Sequence, residues 1–201
     1  MAFITMFLGD LAGDALRVAR RGRAGVFGLL GMLAGCTGVP DGITPAQPFE
    51  AGRYLGPWYE VMRLDHGFER DLSDVTATYG LRPDGKISVV NKGYDTKACR
   101  WRSIEGYATF QKGPEVPSLS VTFFWPLAGG YHVFALDQAD YGYALVSGPT
   151  RDYLWILARK PDLDPAIRAS LVDIARENGF AVDELILVDH QGPVCKTAKA
   201  G

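Results

Sequence analysis

From Trp58 onward, apolar stretches of roughly seven to ten residues alternate with turn signals. This pattern predicts strands over 58–66, 73–82, 86–94, 100–112, 118–125, 131–138, 142–147 and 152–159. Pro83-Asp84-Gly85, Gly113-Pro114, Gly129-Gly130 and Gly148-Pro149 read as turns between them. Regular short strands with such punctuation point to a sandwich or a barrel. The stretch 73–82 alternates cleanly, with Val75, Ala77, Tyr79 and Leu81 on one face and Thr76, Thr78 and Gly80 on the other. The last strands are apolar on both faces: Val133 and Ala135 against Phe134 and Leu136, and Tyr153, Trp155 and Leu157 against Leu154 and Ile156. One helix is well signalled. Asp164 can cap it, Pro165 suits its first turn, Ile167, Leu171, Ile174 and Ala175 share a face, and Asn178-Gly179 ends it. A short last strand follows near 185–188. The simplest fold is all-β: an eight-stranded antiparallel up-and-down barrel, with the C-terminal helix packed outside over the doubly apolar strands and a short ninth strand.

The amino terminus follows a different logic. Arg17, Arg20, Arg21 and Arg23 precede an apolar run from Ala24 to Leu33. Such a run is too short for a bilayer span, which needs ~20 residues, but it suits a secretory h-region. It ends in Leu33-Ala34-Gly35-Cys36, which resembles the lipobox of bacterial lipoproteins. That resemblance implies acylation of Cys36 and cleavage before it, and two acyl chains anchor far better than one. An ordinary signal peptide with a coincidental Cys gives the same upstream pattern. Arg20-Arg21 is similar to a twin-Arg signal but lacks the rest of it. Thr37 follows the Cys, where an Asp would resemble the inner-membrane retention signal, so the outer membrane is favoured. The expected organisation is a signal peptide with an N-terminal extension over 1–35, the lipidated Cys and a Pro/Gly-rich linker over 36–51, a barrel over 52–190 and a tail over 191–201.

Composition narrows the function classes. Of 201 residues, 47% are apolar and 22% charged, which excludes disordered, collagen-like and multi-span membrane chains. A net charge of −2 argues against nucleic acid as a partner. The three cysteines form no CxxC pair, and His66, His132 and His190 are scattered, so no metal or other cofactor is expected. No P-loop, GxSxG or HExxH motif is present, and no catalytic residue is assigned. Glu60 could point inward near the floor of the barrel, where a raised pKa would suit an acid, but a structural hydrogen-bond role is the favoured reading.

Three segments then point to a family. Gly56-Pro57-Trp58-Tyr59-Glu60 resembles the GxW signature that opens the lipocalin barrel. The run from Ala135 to Ala144 resembles the second lipocalin motif, and Leu157-Ala158-Arg159 the third. Leu64 to Arg70, Val75 to Tyr79, Asn91 to Tyr94 and Asp152 to Leu157 look like the bacterial outer-membrane lipoprotein branch, which is apolipoprotein D-like. The resemblance implies that Arg159 lies over Trp58 and closes the floor, a cation–π contact worth ~2 kcal/mol when desolvated. It also implies that Cys99 and Cys195 form a disulfide stapling the tail across the barrel, at ~4–5 kcal/mol in the chain-entropy account. Two free thiols are the alternative.

Alternation from Trp58 sets the expected ligand-binding wall: Met62, Ala77, Tyr79, Val89, Asn91, Ile104, Val121, Phe123, Tyr131, Val133, Tyr153 and Trp155, with Phe68 at the mouth. A filled core is the alternative, but small or polar inward positions (Ala77, Asn91, Gly106, Ala108, Ala135) argue for a cavity. The mouth loops carry Phe68, Arg70, Tyr94, Lys97, Arg100, Trp101, Trp125, Arg151 and Tyr153, a mixture suited to an amphipath with an anionic head. Solvated loop charges are the bland reading of each. The family resemblance implies a fatty acid or lysophospholipid as ligand, carried or stored in the cell envelope by a lipid-anchored, periplasm-facing protein. Two other functions remain open: an interaction protein that binds an envelope partner or a second copy through its loops, and a lipocalin-type enzyme.

Overall fold

The computed structural model describes residues 37–195, and all further structural statements concern these. The chain enters through helix α1 (Ala51–Tyr54) and then runs through β1 (Gly56–Arg63), β2 (Leu72–Leu81), β3 (Ile87–Asp95), β4 (Arg100–Phe110), β5 (Ser118–Phe124), β6 (Leu127–Leu136), β7 (Tyr143–Ser147) and β8 (Leu154–Ala158). Helix α2 (Pro165–Glu177), a 3₁₀ turn (Val182–Glu184) and β9 (Ile186–Leu187) complete it. Each strand pairs antiparallel with its chain neighbours, and β1 pairs with both β2 and β8, which closes the eight-stranded barrel. β9 adds to the upper end of β1 through Met62↔Leu187 and Arg63↔Ile186.

Two cores result from the strand alternation. Inside the barrel lie Trp58, Tyr79, Val89, Val133, Val146 and Leu157. Outside, Leu171 and Ala175 of α2 pack with Leu145, Leu154, Ile156 and Ala158. The doubly apolar strands are therefore those the helix covers. Asp164 caps α2 by accepting from the amides of Ala166 (2.8 Å) and Ile167 (3.3 Å), worth ~1 kcal/mol. Gly179 follows at φ +80°, where glycine carries no Cβ penalty.

Three details differ from the sequence reading. Gly129-Gly130 is not a turn. It lies within β6, and the reversal falls at Trp125-Pro126, with Phe124 paired to Leu127. A Cβ on Gly130 would sit 2.7 Å from His132 Nε2 and 3.1 Å from Thr37 O, so glycine there admits the amino-terminal segment against the strand. That segment, read as a linker, is docked: Ile43 and Phe49 are buried, Ala46 N donates to Val133 O at 2.8 Å, and Arg151 Nη2 donates to Asp41 O at 2.6 Å. The third detail is a β-bulge between Glu60 and Met62, where the register on β8 passes from Glu60↔Leu157 to Met62↔Ile156. Cys36, the expected lipidation site, lies outside the described residues.

Candidate functional site

The barrel is shut at the end where β1 begins. Trp58 is wholly buried, and its Nε1 donates to Tyr54 O at 2.8 Å. The Arg159 guanidinium lies 4.0 Å from the centroid of its ring. Arg159 also donates to the carbonyls of Pro57 (2.8 Å) and Arg53 (2.7 Å), so the cation is held from both sides. Above this plug the Tyr54 ring packs against Trp58, tilted by 32° with centroids 4.6 Å apart. The Tyr54 and Tyr131 hydroxyls are 2.7 Å apart, and Tyr79 donates to Tyr131 at 2.9 Å. Burial raises the pKa of all three phenols, with further increments from one another or from nearby carboxylates, so this layer is neutral.

Over the tyrosine layer a cavity of about 140 Å³ remains, well above the ~10–15 Å³ that one water needs. Ala77, Tyr79, Val89 and Asn91 line it from β2 and β3. Val121 and Phe123 line it from β5, Tyr131 from β6, and Tyr153 and Trp155 from the end of the β7–β8 loop and from β8. Phe68 closes over it from the β1–β2 loop. Ile104 is displaced from this group. It lines a smaller adjoining hollow of about 30 Å³, which shares Phe68, Glu69, Asn91 and Phe123 with the main one. Val133 points inward but is fully buried in the lower core and does not reach the cavity.

Met62 does not belong to the wall at all. The bulge shifts the alternation by one residue, so Met62 turns outward and packs with the helix-side core. Arg63 turns inward in its place, paired with Trp155. A second bulge between Val133 and Ala135 likewise turns Ala135 outward onto the helix-side core, although simple alternation places it inside. Glu69, Leu157, Ala128, Gly129, Gly130 and Pro149 line the cavity without having been expected there. For the glycines the available signal was composition: two residues without side chains leave space beside Tyr131.

The inward Arg63 organises a buried polar cluster. Its Nη1 donates to Glu60 Oε1 at 2.7 Å, and its Nη2 to Glu69 O at 2.7 Å, which folds the β1–β2 loop back over the strand. Trp155 Nε1 donates to Glu69 Oε2 at 3.0 Å. His66 stacks on Phe68 (5.1 Å) and Tyr153 (5.2 Å), with its Nδ1 3.2 Å from Glu69 Oε2. That approach is too poorly aligned to be a hydrogen bond, and both ring nitrogens are buried without one. Burial, then the Arg63 charge, lower His66 to about 4, so the ring is neutral. Burial, then the Glu69 charge, raise Glu60 to about 8, against the pull of Arg63. Burial also raises Glu69, and Arg63 again opposes it.

Three of the four expected mouth cations are engaged with neighbours. Arg70 is bonded to Asp65 (2.9 and 2.7 Å), Lys97 lies 2.8 Å from Asp71, and Arg151 donates to Asn178 O and Asp41 O. Arg100 and Trp101 are exposed near the mouth, Tyr94 is buried there, and Trp125 is 82% exposed at the β5–β6 reversal. Cys99 and Cys195 form the disulfide, with Cα atoms 5.1 Å apart, which ties the tail to the β3–β4 loop. No group of His, Cys, Asp or Glu suited to a metal ion occurs among the described residues.

The barrel is thus closed on itself, plugged at its floor, mostly apolar inside and covered by Phe68 at its top. Residues 49–190 match the lipocalin-like domain, and the chain belongs to that family. It is 47% identical over 160 residues to the outer membrane lipoprotein Blc of Vibrio cholerae, across 80% of this chain and 94% of the relative. It is 50% identical over 153 residues to the outer membrane lipoprotein Blc of Citrobacter freundii, across 76% of this chain and 86% of the relative. Together with the Cys36 motif, these relatives place the chain among outer membrane lipoproteins. The solved structure of insecticyanin from the tobacco hornworm Manduca sexta superimposes with a TM-score of 0.63 at 17% identity, over 79% of this chain and 90% of that one, and so shares the fold.

Proposed function

We propose that the protein is a lipid-anchored carrier that holds fatty acids or lysophospholipids in its barrel, for storage or transport within the cell envelope. The observation that carries this reading is the cavity of about 140 Å³ between Phe68 at the top and the tyrosine layer below. Its walls are mostly aliphatic and aromatic side chains, with Glu60, Glu69 and Asn91 as the polar exceptions. They suit an acyl tail, whose burial gains ~25 cal/mol per Å² without directed bonds. Met62, Ile104 and Val133 drop out of the proposed ligand wall, and Leu157 joins it. Trp58 and Arg159 are structural, since the tyrosine layer separates them from the cavity.

The test is native mass spectrometry, with lipid extraction, of the chain beginning at Thr37. Residues 37–195 contain both cores and the disulfide, so this segment is a complete folding unit. Acyl lipid at near one-to-one stoichiometry is the expected result. A barrel that purifies empty and takes up no single-chain lipid added afterwards refutes carriage.

A further inference from the structure

Trp125 stands apart from the other tryptophans. Trp58 is wholly buried against Arg159, Trp155 donates to Glu69, and Trp101 packs edge-on to Tyr94 with the Lys92 ammonium over its ring. Trp125 is 82% exposed at the β5–β6 reversal, and among the described residues its indole has no hydrogen bond, ring contact or cation over it. Phe124 and Leu127 flank the reversal, both half-buried. An apolar side chain of this size held in water costs free energy that no contact within the barrel offsets.

The amino-terminal segment leads to the same place. Ala46 N donates to Val133 O, Gly38 O accepts from His132 Nε2 at 2.8 Å, and Thr37 O lies 3.1 Å from where a Cβ on Gly130 would sit. Followed back from Ala46, the chain thus moves along the outer wall of β6 from Val133 to Gly130, toward the Trp125 reversal. Gln111 Nε2 donates to Thr37 O at 2.6 Å and pins its end. Cys36, which the lipobox resemblance marks for acylation, is the next residue, ~3.8 Å away between Cα atoms. A single peptide bond therefore joins the acylated residue to a segment already fixed on the barrel. From Gly130 to Leu127, at the reversal, three strand residues rise about 10 Å. A bilayer that takes up the acyl chains of Cys36 comes within reach of Trp125.

A bilayer suits this surface better than a protein does. One indole offers at most ~250 Å², against the ~800 Å² that each partner gives to a stable protein interface. Tryptophan is favoured at the membrane–water boundary, where its ring sits at the level of the headgroups. We propose that the β5–β6 reversal is a second membrane contact, in which Trp125 enters the headgroup layer beside the acylated Cys36 and fixes this side of the barrel rim on the bilayer. The partner is the phospholipid surface itself. The proposal rests on acylation at Cys36 and not on what the cavity holds. Ala128, Gly129 and Gly130 follow the reversal and line the cavity, so the contact also brings the cavity rim to the bilayer.

The experiment places the acylated protein in vesicles of phosphatidylethanolamine and phosphatidylglycerol. These carry a phosphatidylcholine brominated near the carboxyl end of its acyl chains, a contact quencher of indole. Compared with the unacylated chain beginning at Thr37, the tryptophan emission should shift to the blue and be quenched. Of the four tryptophans, Trp125 should be the one quenched, so Trp125→Phe should lose the quenching and Trp101→Phe should keep it. Absent quenching, equal quenching in Trp125→Phe, or loss of it in Trp101→Phe instead overturns the proposal. Cross-linking that seats a second copy on the reversal, with no quenching, assigns this surface to self-association and overturns it too. So does mass spectrometry that finds Cys36 without acyl chains. An exposed position should tolerate Trp125→Phe with Tm unchanged, and should that variant fail to fold, the presence or absence of the blue shift in the unaltered protein decides. The ligand of the cavity is tested separately on the unacylated chain, so failure here leaves it untouched.

Discussion

The buried Glu60–Arg63 cluster makes stability fall as pH rises through neutrality. In the unfolded chain Glu60 loses its proton near its ordinary value of 4.5, whereas in the fold it holds it to about 8. Between those values the folded state binds more protons than the unfolded one, so the favourable term is full below 4.5 and is lost as pH rises toward 8. His66 has the opposite sign. Its folded pKa is lowered from 6.5 to about 4, so its favourable term is full above 6.5 and is lost as pH falls toward 4. The two slopes oppose each other between 4.5 and 6.5, and above 6.5 Glu60 acts without that opposition. One proton contributes ~1.4 kcal/mol per pH unit, so the loss from pH 6.5 to 8 is about 2 kcal/mol. Glu69, raised by the same burial, adds in the same direction. For a domain of this size that lowers Tm by about 4–8 °C. Urea unfolding followed by tryptophan fluorescence, with the disulfide intact, measures it at half-unit pH steps. Glu60→Gln keeps an acceptor for Arg63 and cannot titrate, so its profile should be flatter by the Glu60 contribution. Stability that rises from pH 6.5 to 8 in the unaltered chain, or an equal slope in Glu60→Gln, refutes the reasoning.

Trp58→Ala empties the floor beneath the tyrosine layer and should cost about 3–5 kcal/mol in chemical denaturation, while the ranking of ligands on the folded fraction stays unchanged. Ala77→Phe extends an aromatic ring into the cavity and should abolish uptake of a neutral apolar fluorophore, with Tm falling by only a few degrees. Gly130→Ala brings a methyl group against His132 and Thr37 and should cost about 1–3 kcal/mol, with faster amide exchange confined to residues 37–46.

The architecture was legible because its strand signal repeats. Period-two alternation in 73–82 fixes which face is inside, and the doubly apolar faces of the last strands mark where the helix packs. The same alternation fails where a strand carries an extra residue. Nothing in the run Trp58-Tyr59-Glu60-Val61-Met62-Arg63 marks a bulge, since both Met62 and Val61 are apolar and either suits the interior. The phase is decided by tertiary pairing: Met62 finds the helix-side core, and the Arg63 charge finds Glu60 and a loop carbonyl inside. Phe134 hides the second bulge in the same way, because its neighbours are apolar on either face. Gly129-Gly130 was misread for another reason. Paired glycines ordinarily mark turns, but here the missing side chains admit a docked segment on one side of the strand and leave room in the cavity on the other.

The bulge in β1 also explains why the cavity has a polar side at all. Without it, strict alternation would place Met62 inside and Arg63 outside, and Glu60 would be buried with no cation. With it, one guanidinium holds a wall carboxylate through Nη1 and the mouth loop through Nη2, so the side chain that sets the charge of the cavity also fixes its lid. Hydrophobic residues of similar volume in place of a buried ion pair are often as stable or more so. What the pair holds in place, the β1–β2 loop, therefore accounts for it better than its own contribution to stability. The loop that Arg63 holds carries Glu69, His66 and Phe68, so loss of the pair should also loosen the cover that Phe68 makes over the cavity.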